Sequence, residues 1–241
     1  MAKVWLNRPF SELRGPERLS AGAAARLRST ARAAGVDWAL VLGVLRAGHG
    51  PDVQSIGVQL RKLGAGGDER RSARAILGNR SLADRALALA GYYRAVGLDS
   101  LVSGLDAAKS RLIGRLLGDR RVDLDLAGEE DVAAGRIDVR VVASVLYLAE
   151  EYGQVRVSSL LADRHVVRPG VSSAHLSGLA FDVSVLGRRA LFGRPGLVAR
   201  AASSFLLLPS ELRPQQLVSV ASEREALLAS GERPDHLHVG F

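Results

Sequence analysis

The sequence predicts an α+β fold in which a helical N-terminal half precedes a half that mixes helices and strands. Apolar residues recur at three- and four-residue spacing from residue 17 to about 118, which is the period of a helix. After about residue 119, short segments alternate polar and apolar residues, which is typical of strands. Helices first and strands later favour two units. We therefore predict an all-α domain over 1–120 and a small α+β domain with an antiparallel sheet over 121–241.

Capping residues and glycines divide the helical half into separate helices. Segment 17–34 is rich in alanine and arginine and contains no β-branched run, which suits a helix. Asp37 and Asp52 each precede an apolar pattern at helical spacing, so each is a candidate N-cap. Two longer patterns follow over 81–97 and 98–117, the second weakened by internal glycines. These patterns predict five helices before the strand-rich half begins.

The second half contains both kinds of pattern. A helix is predicted from the cap Asp138 to Gly153, and another near 196–207. Alternating segments predict strands at 121–126, 155–160, 179–185, 216–220 and 236–240. The last strand ends next to the chain terminus, so its side chains can join those of an earlier strand.

Composition excludes several classes of protein and of site. The 241 residues are 47% hydrophobic and 24% charged, which is ordinary for a folded globular chain and unlike a disordered one. No apolar run approaches the roughly 18 residues that span a bilayer, and the N-terminus shows no apolar segment of a signal peptide. Cysteine is absent, so disulfides, thiolate zinc sites and a cysteine nucleophile are excluded. Any metal must be held by histidine and carboxylate.

The charge balance favours polyanionic partners. The formal net charge is +8, and arginine supplies nearly all of the positive charge. Such a chain attracts nucleic acid, anionic lipid or an anionic cell-wall polymer, although a compositional bias towards arginine accounts for the same number. The basic pairs are scattered along the chain and form no motif, so we predict no specific nucleic-acid site.

Histidine carries the clearest functional signal. Of five histidines, four fall in the last third of the chain. Because side chains alternate faces along a strand, pairing of the strands at 179–185 and 236–240 would bring Asp182, His236 and His238 together. Gly178 permits a turn that returns His175 towards them. Two histidines and one carboxylate with an open position form the ligand set of a catalytic zinc site. The alternative is a group of buried polar residues that the backbone satisfies.

Two stretches resemble a known family. The sequence SSAHLSGLAFD at 172–182, followed by DHLHV at 235–239, resembles zinc peptidases of the D-alanyl-D-alanine carboxypeptidase type. These belong to a larger group with lysostaphin-type endopeptidases and the hedgehog signalling domain. The resemblance covers 158–241, with a similar lead-in over 131–161, and implies that part's small α+β fold. It also implies zinc held by His175, Asp182 and His238.

The resemblance further implies roles for the remaining residues of the site. His236 would stabilise the transition state, and Asp235 occupies the place where many members have a glutamate general base. Arg164 and Ser173 would bind substrate. The implied reaction is hydrolysis of a peptide amide bond in peptidoglycan, with a zinc-bound water as the nucleophile.

Partners and location follow from the same resemblance. It implies peptidoglycan peptides as substrates and an extracellular or cell-wall location, with anionic wall polymers as candidate partners of the helical half. The alternative is a catalytically inactive zinc-binding module that recognises peptidoglycan or another protein. An aspartate at the base position is one methylene shorter than glutamate, which keeps that alternative open.

Overall fold

The α+β prediction is confirmed by a computed structural model, which describes residues 3–7, 18–48, 52–64, 68–161, 174–210, 212–219 and 236–241. The chain forms two compact units. The helical unit consists of Pro16–Gly104 and Leu207–Pro209. The sheet unit consists of Met1–Gly15, Leu105–Leu206 and Ser210–Phe241. This grouping differs from the predicted division at residue 120, because the helix after Gly104 and the N-terminal strand belong to the sheet unit.

The helical unit contains six of the described helices. They are α1 (Ala21–Ala34), α2 (Trp38–Ala47), α3 (Val53–Lys62), α4 (Glu69–Leu77), α5 (Arg80–Val96) and α6 (Leu98–Ser103). Asp37 and Asp52 cap α2 and α3 as predicted, each accepting a backbone N–H of the first turn. Helix α4 was not predicted, because its arginines dominate a short segment. None of the helices in the described ranges has the length and apolar character that a membrane span needs.

Close approach of α2 and α5 forms the centre of the helical unit. Gly43 of α2 faces the backbone of α5, where a Cβ on this glycine would overlap the carbonyl oxygen of Ala86 and lie 3.2 Å from Ala90 N. Leu40 and Leu89 are almost completely buried. The missing side chain at residue 43 therefore allows two helix backbones to touch and the leucines around them to pack.

Within the described residues, the sheet unit combines helices with seven strands. Its elements are β1 (Lys3–Asn7), α7 (Leu105–Gly118), β2 (Val122–Asp123), α8 (Leu126–Ala133), α9 (Val139–Tyr152), β3 (Val155–Ser159), β4 (Ala180–Leu186), β5 (Arg189–Ala190), α10 (Pro195–Leu206), β6 (Gln216–Ser219) and β7 (Leu237–Gly240). A 3-10 turn over Ala174–Ser177 precedes β4. The predicted helix over 98–117 is divided at Gly104, whose φ of 87° interrupts it between α6 and α7.

The sheet is mixed, which corrects the predicted antiparallel sheet. Its strand order is β1-β6-β7-β4-β3-β2, with β5 beside β4. Only the β2–β3 pair is parallel among the described strands, and the other pairs are antiparallel. Strand β2 stops early because Asp125, inside the predicted 121–126 strand, caps α8 by accepting the Gly128 N–H. Of the candidate site residues, Asp182 lies on β4 and His238 on β7, with β6 beside β7.

The buried face of the central strands anchors their register. Phe181 and Val183 of β4 and Leu237 and Val239 of β7 are fully buried. Because successive side chains alternate faces, a one-residue slip would move all four out of the core. The register that buries these apolar residues therefore fixes which polar residues meet on the opposite face.

Candidate metal centre

Strand pairing brings the predicted aspartate and the last histidine together. Asp182 of β4 lies directly opposite His238 of β7 in the antiparallel ladder. Residues opposite each other share a face of the sheet, so the two side chains point to the same side. The predicted juxtaposition of Asp182 and His238 is thus confirmed by the register.

His175 reaches the same point from a turn ahead of β4. It lies in the 3-10 turn, and Gly178 reverses the chain with a φ of 65°. A Cβ on Gly178 would overlap the carbonyl oxygen of Arg136. The Gly178 carbonyl also accepts the Asp138 N–H at 2.9 Å, which ties this turn to the start of α9. Glycine is needed at residue 178 both for its conformation and for the space.

Three side-chain atoms converge at the candidate centre. His175 Nε2 lies 3.2 Å from His238 Nδ1 and 3.4 Å from Asp182 Oδ1. His238 Nδ1 lies 2.9 Å from Asp182 Oδ1. The three residues are a group that could hold a metal ion. Each of the three presents one atom to a common point.

Hydrogen bonds on the far sides of the imidazoles decide which nitrogens are available. His175 Nδ1 lies 2.9 Å from the carbonyl oxygen of Leu160, and His238 Nε2 lies 3.2 Å from Gln216 Oε1. Both oxygens accept, so in each neutral ring that nitrogen donates its hydrogen outward. The inward nitrogens then present lone pairs towards a carboxylate oxygen. Such an arrangement is repulsive until a proton or a metal ion supplies positive charge.

The electrostatics of Asp182 show the same requirement for positive charge. The exposed fraction of its side chain is only 15%. Burial alone would raise the pKa of the Asp182 carboxyl, but hydrogen bonding with His175 and His238, together with the Coulomb interaction with His175 and His236, holds that pKa well below its usual range. The carboxylate therefore stays ionised inside a largely buried site.

The donor set fits a small tetrahedral cation. Zinc bonds to histidine nitrogen and carboxylate oxygen at about 2.0–2.2 Å, so neighbouring ligand atoms of a tetrahedral site lie about 3.3 Å apart. The three distances between the ligand atoms of His175, Asp182 and His238 are 3.2, 3.4 and 2.9 Å. Nitrogen donors also favour zinc over magnesium or calcium, which prefer oxygen. The three atoms are thus spaced as three ligands of one such ion would be.

His236 borders this group without belonging to it. Its Nε2 lies 3.8 Å from Asp182 Oδ2, which is beyond hydrogen-bonding distance. The residue is 8% exposed and directly precedes β7. His236 and His238 lie two residues apart, so both side chains approach Asp182 as predicted. Among the described residues this imidazole forms no hydrogen bond, so it lies beside the cluster where it can contact another group.

Three of the predicted site residues lie outside the described residues: Asp235, Arg164 and Ser173. Two features of the site were missed from the sequence. The first is the Leu160 carbonyl, which is a backbone group and has no sequence signal. The second is Gln216, for which the available signal was its place at the start of the predicted strand over 216–220.

Comparisons with protein-family models, with curated proteins and with solved structures return no match for this chain.

Proposed function

We propose that the chain is a zinc-dependent peptidase that hydrolyses peptide amide bonds of peptidoglycan. The observation that carries this proposal is the convergence of His175 Nε2, Asp182 Oδ1 and His238 Nδ1 at 2.9–3.4 Å from one another. Their spacing suits a three-residue zinc site with an open position, and a water or substrate fills that position in catalytic zinc sites. The resemblance of 172–182 and 235–239 to D-alanyl-D-alanine carboxypeptidase-type zinc peptidases supplies the substrate class.

The protein's own residues would hold the ion and keep the site polar. Bound zinc would supply a water of lowered pKa and would polarise the scissile carbonyl. His175 and His238 contribute neutral nitrogens, and Asp182 contributes the negative charge that the ion needs. Because Asp182 stays ionised, it needs no deprotonation before the ion binds.

His236 and Asp235 would act on the substrate. The His236 imidazole lies on the Asp182 side of the cluster, where its Nε2–H can donate to the oxygen that gains charge as the amide is attacked. Asp235 precedes it directly in the chain and would take a proton and return it to the leaving amine. Arg164 and Ser173 would bind the peptide, as the resemblance implies.

The direct test is metal content together with turnover. We expect about one zinc per chain by elemental analysis, and chelator-sensitive cleavage when the protein is incubated with muropeptides. His236→Leu should retain zinc and lose most of the turnover, because it removes a substrate-stabilising donor and no ligand. A wild-type protein that binds zinc but cleaves no muropeptide would instead be the inactive binding module. A protein without affinity for zinc would contradict both.

We propose that the helical unit binds anionic wall polymers. We propose with it that the protein acts at the cell wall, outside the cell membrane. Segment 16–104 carries thirteen arginine and lysine residues against seven aspartate and glutamate residues, or +6 of the total +8. Arg26 and Arg61 form no ion pair within the described residues, unlike Arg28, which pairs with Asp99. Guanidinium groups bind phosphate and carboxylate through two hydrogen bonds at once.

A groove between α1 and α3 brings Arg26 and Arg61 together. Its cavity is about 660 Å³ in volume and is lined by Arg26, Ser29, Thr30, Asp52, Gln54 and Arg61 among others. The Asp52 carboxylate accepts hydrogen bonds from Gln54 and Ser55 at the start of α3. Hydroxyl and amide groups beside two cations suit a chain of anionic groups better than a single apolar ligand.

Binding to teichoic-acid-containing walls at rising salt tests this partner. An Arg26→Ala, Arg61→Ala double variant should elute at lower salt than the wild type. It loses two cations that would contact the polymer, and less salt is then needed to screen the remaining positive charge. The matched control is Arg28→Ala with Arg70→Ala, which removes two arginines that already pair with aspartates. Equal elution of the two double variants would show that total charge, and not the groove, governs binding.

A further inference from the structure

Gln216 stands on the outer side of the last histidine of the candidate metal site. The imidazole of His238 lies between two acceptors, with Asp182 Oδ1 at 2.9 Å from Nδ1 and Gln216 Oε1 at 3.2 Å from Nε2. We infer that Gln216 is a positioning residue that selects the tautomer of His238 and so makes Nδ1 the metal-binding atom. This inference rests on the proposed zinc site.

The two acceptors compete for the single hydrogen of the neutral ring. A carboxylate forms a stronger hydrogen bond than an amide oxygen, so Asp182 alone would draw the hydrogen to Nδ1. In that tautomer the nitrogen that faces His175 has no free lone pair, and a metal would find only two ligands. The amide oxygen of Gln216 lowers this preference by accepting from Nε2, and so raises the share of the tautomer whose Nδ1 lone pair can bind a metal.

The sheet is built to let this contact form. Gln216 pairs with Gly240 across β6 and β7, and Gly240 pairs with Ala180 across β7 and β4. Gln216 therefore reaches His238 diagonally, a distance that a long side chain spans. A Cβ on Gly240 would lie 2.9 Å from Gln216 Oε1 and 3.2 Å from His238 Nε2. Gly240 is not among the glycines with positive φ. Glycine is therefore needed at residue 240 for the space that it leaves and not for its backbone conformation.

His175 shows the same arrangement with a backbone acceptor. Its Nδ1 lies 2.9 Å from the Leu160 carbonyl oxygen, and its Nε2 faces the cluster. The two imidazoles thus offer different nitrogens, each chosen by an acceptor on the outer side. A backbone carbonyl cannot be removed by substitution, whereas Gln216 can, so the second histidine offers the test.

The test measures zinc affinity and tautomer in three variants. Gln216→Met removes the acceptor at nearly constant volume, Gln216→Glu keeps an acceptor, and Gln59→Met is a matched control on the exposed side of α3. Zinc affinity is measured by competition with a chromophoric chelator. Imidazole ¹⁵N shifts of the metal-free protein report which nitrogen of His238 carries hydrogen.

We expect Gln216→Met to bind zinc about 10- to 100-fold more weakly, the range for residues that orient metal ligands. Its His238 should move towards the Nδ1–H tautomer, whereas Gln216→Glu should keep the zinc affinity and move His238 towards the Nε2–H tautomer. Gln59→Met should resemble the wild type in both measurements. Gln216→Leu, which removes the same acceptor with a different side-chain shape, should reproduce the loss and serves if Gln216→Met does not fold.

Two results separate this inference from the proposal beneath it. If Gln216→Met folds and binds zinc as tightly as the wild type, the role of Gln216 is refuted and the zinc site stands. If the wild type itself binds no zinc, the proposed function fails and the inference falls with it. A loss of stability in Gln216→Met without a tautomer shift would show a merely structural residue and also refute the inference.

Discussion

The two units differ in how deeply they bury ionisable side chains. In the helical unit ion pairs lie at the surface, as between Arg28 and Asp99, whose side chains are 56% and 74% exposed, or are partly covered, as between Arg94 and Asp37, whose side chains are 27% and 29% exposed. In the sheet unit, by contrast, the side chains of His175, Asp182 and His236 are 10%, 15% and 9% exposed. Surface ion pairs contribute little to stability, so the helical unit depends on apolar packing such as that around Leu40 and Leu89.

This difference shows that the sheet unit, and not the helical unit, contains a buried polar cluster that lowers its stability. Buried polar and charged groups cost free energy unless partners satisfy them, and a cluster of lone pairs is satisfied only by a cation. The central strands tolerate the cluster because their opposite face buries Phe181 and Leu237 completely. A bound ion should therefore matter greatly to the sheet unit, while packing should decide the stability of the helical unit.

Removal of the ligand carboxylate is expected to have the largest effect. Asp182→Asn replaces the charged ligand by a neutral amide, so zinc affinity should fall by more than about a hundredfold, beyond what loss of an orienting residue causes. Titration of the purified variant with zinc, followed by elemental analysis, checks this. The control is Asp123→Asn, which removes a half-exposed carboxylate that pairs with Arg156 in the same sheet. Equal zinc binding by both variants would contradict the proposed centre.

Zinc should stabilise the wild type by a predictable amount. At a free zinc concentration of about 100 times Kd, a ligand that binds only the folded state adds about 2.7 kcal/mol to the free energy of unfolding. Urea unfolding with zinc and with chelator measures the difference, and hydrogen exchange should place the added protection at β4 and β7. His175→Ala should show no such increment. An increment that persists in His175→Ala would mean that zinc binds elsewhere.

Much of the fold could be predicted because local signals and burial agree. Asp37, Asp52 and Asp138 cap the helices that they were expected to cap. The misses have local causes: α4 is short and arginine-rich, and β2 ends at a cap that looked like part of a strand. The N-terminal strand β1 pairs with β6, more than two hundred residues later, and nothing near Lys3–Asn7 records that partner.

In the candidate site, too, some residues could be predicted from the local pattern and others depend on residues far away in the chain. Period-two alternation was enough to place Asp182, His236 and His238 on converging faces, because the register is fixed by the apolar residues between them. The outer partners could not be predicted in that way. The Leu160 carbonyl is backbone, and Gln216 acquires its role only through a diagonal contact that Gly240 leaves open. The candidate ligands could thus be predicted from the alternation of side chains along the strands. The groups that orient these ligands depend on the three-dimensional packing.

Gly43→Ala tests the packing half of the comparison. The added methyl would collide with the Ala86 carbonyl of α5, and overpacking of this kind costs about 1–3 kcal/mol. Urea unfolding should show this loss, while zinc affinity stays at the wild-type value. Gly22→Ala is the control: the nearest atom to its added methyl is Arg26 Nη1 at 3.8 Å, and the change should stabilise α1 by up to about 1 kcal/mol. Weaker zinc binding in Gly43→Ala would show that the units are not energetically separate.

The smallest expected effect concerns the cap of α9. Asp138 accepts the Arg140 N–H at 2.9 Å and pairs with Arg140 Nε at 2.8 Å. Burial raises the pKa of its carboxyl, but the hydrogen bonds and charge of Arg140 outweigh it, so the pKa lies below the usual 3.8. A lowered pKa in the folded state gives stability that is present above pH 3.8 and is lost as the pH falls through the folded value.

Asp138→Asn isolates that charge, because asparagine also caps helices but cannot ionise. It should cost about 0.2–1 kcal/mol near pH 7, the range for a partly exposed ion pair, and progressively less as the pH falls below about 4. Asp138→Ala removes the cap as well, so its further cost of about 1 kcal/mol should persist in acid. Urea unfolding of the three proteins across this pH range provides the measurement. A difference between wild type and Asp138→Asn that does not shrink in acid would assign the stabilisation to the shape of the cap and not to its charge.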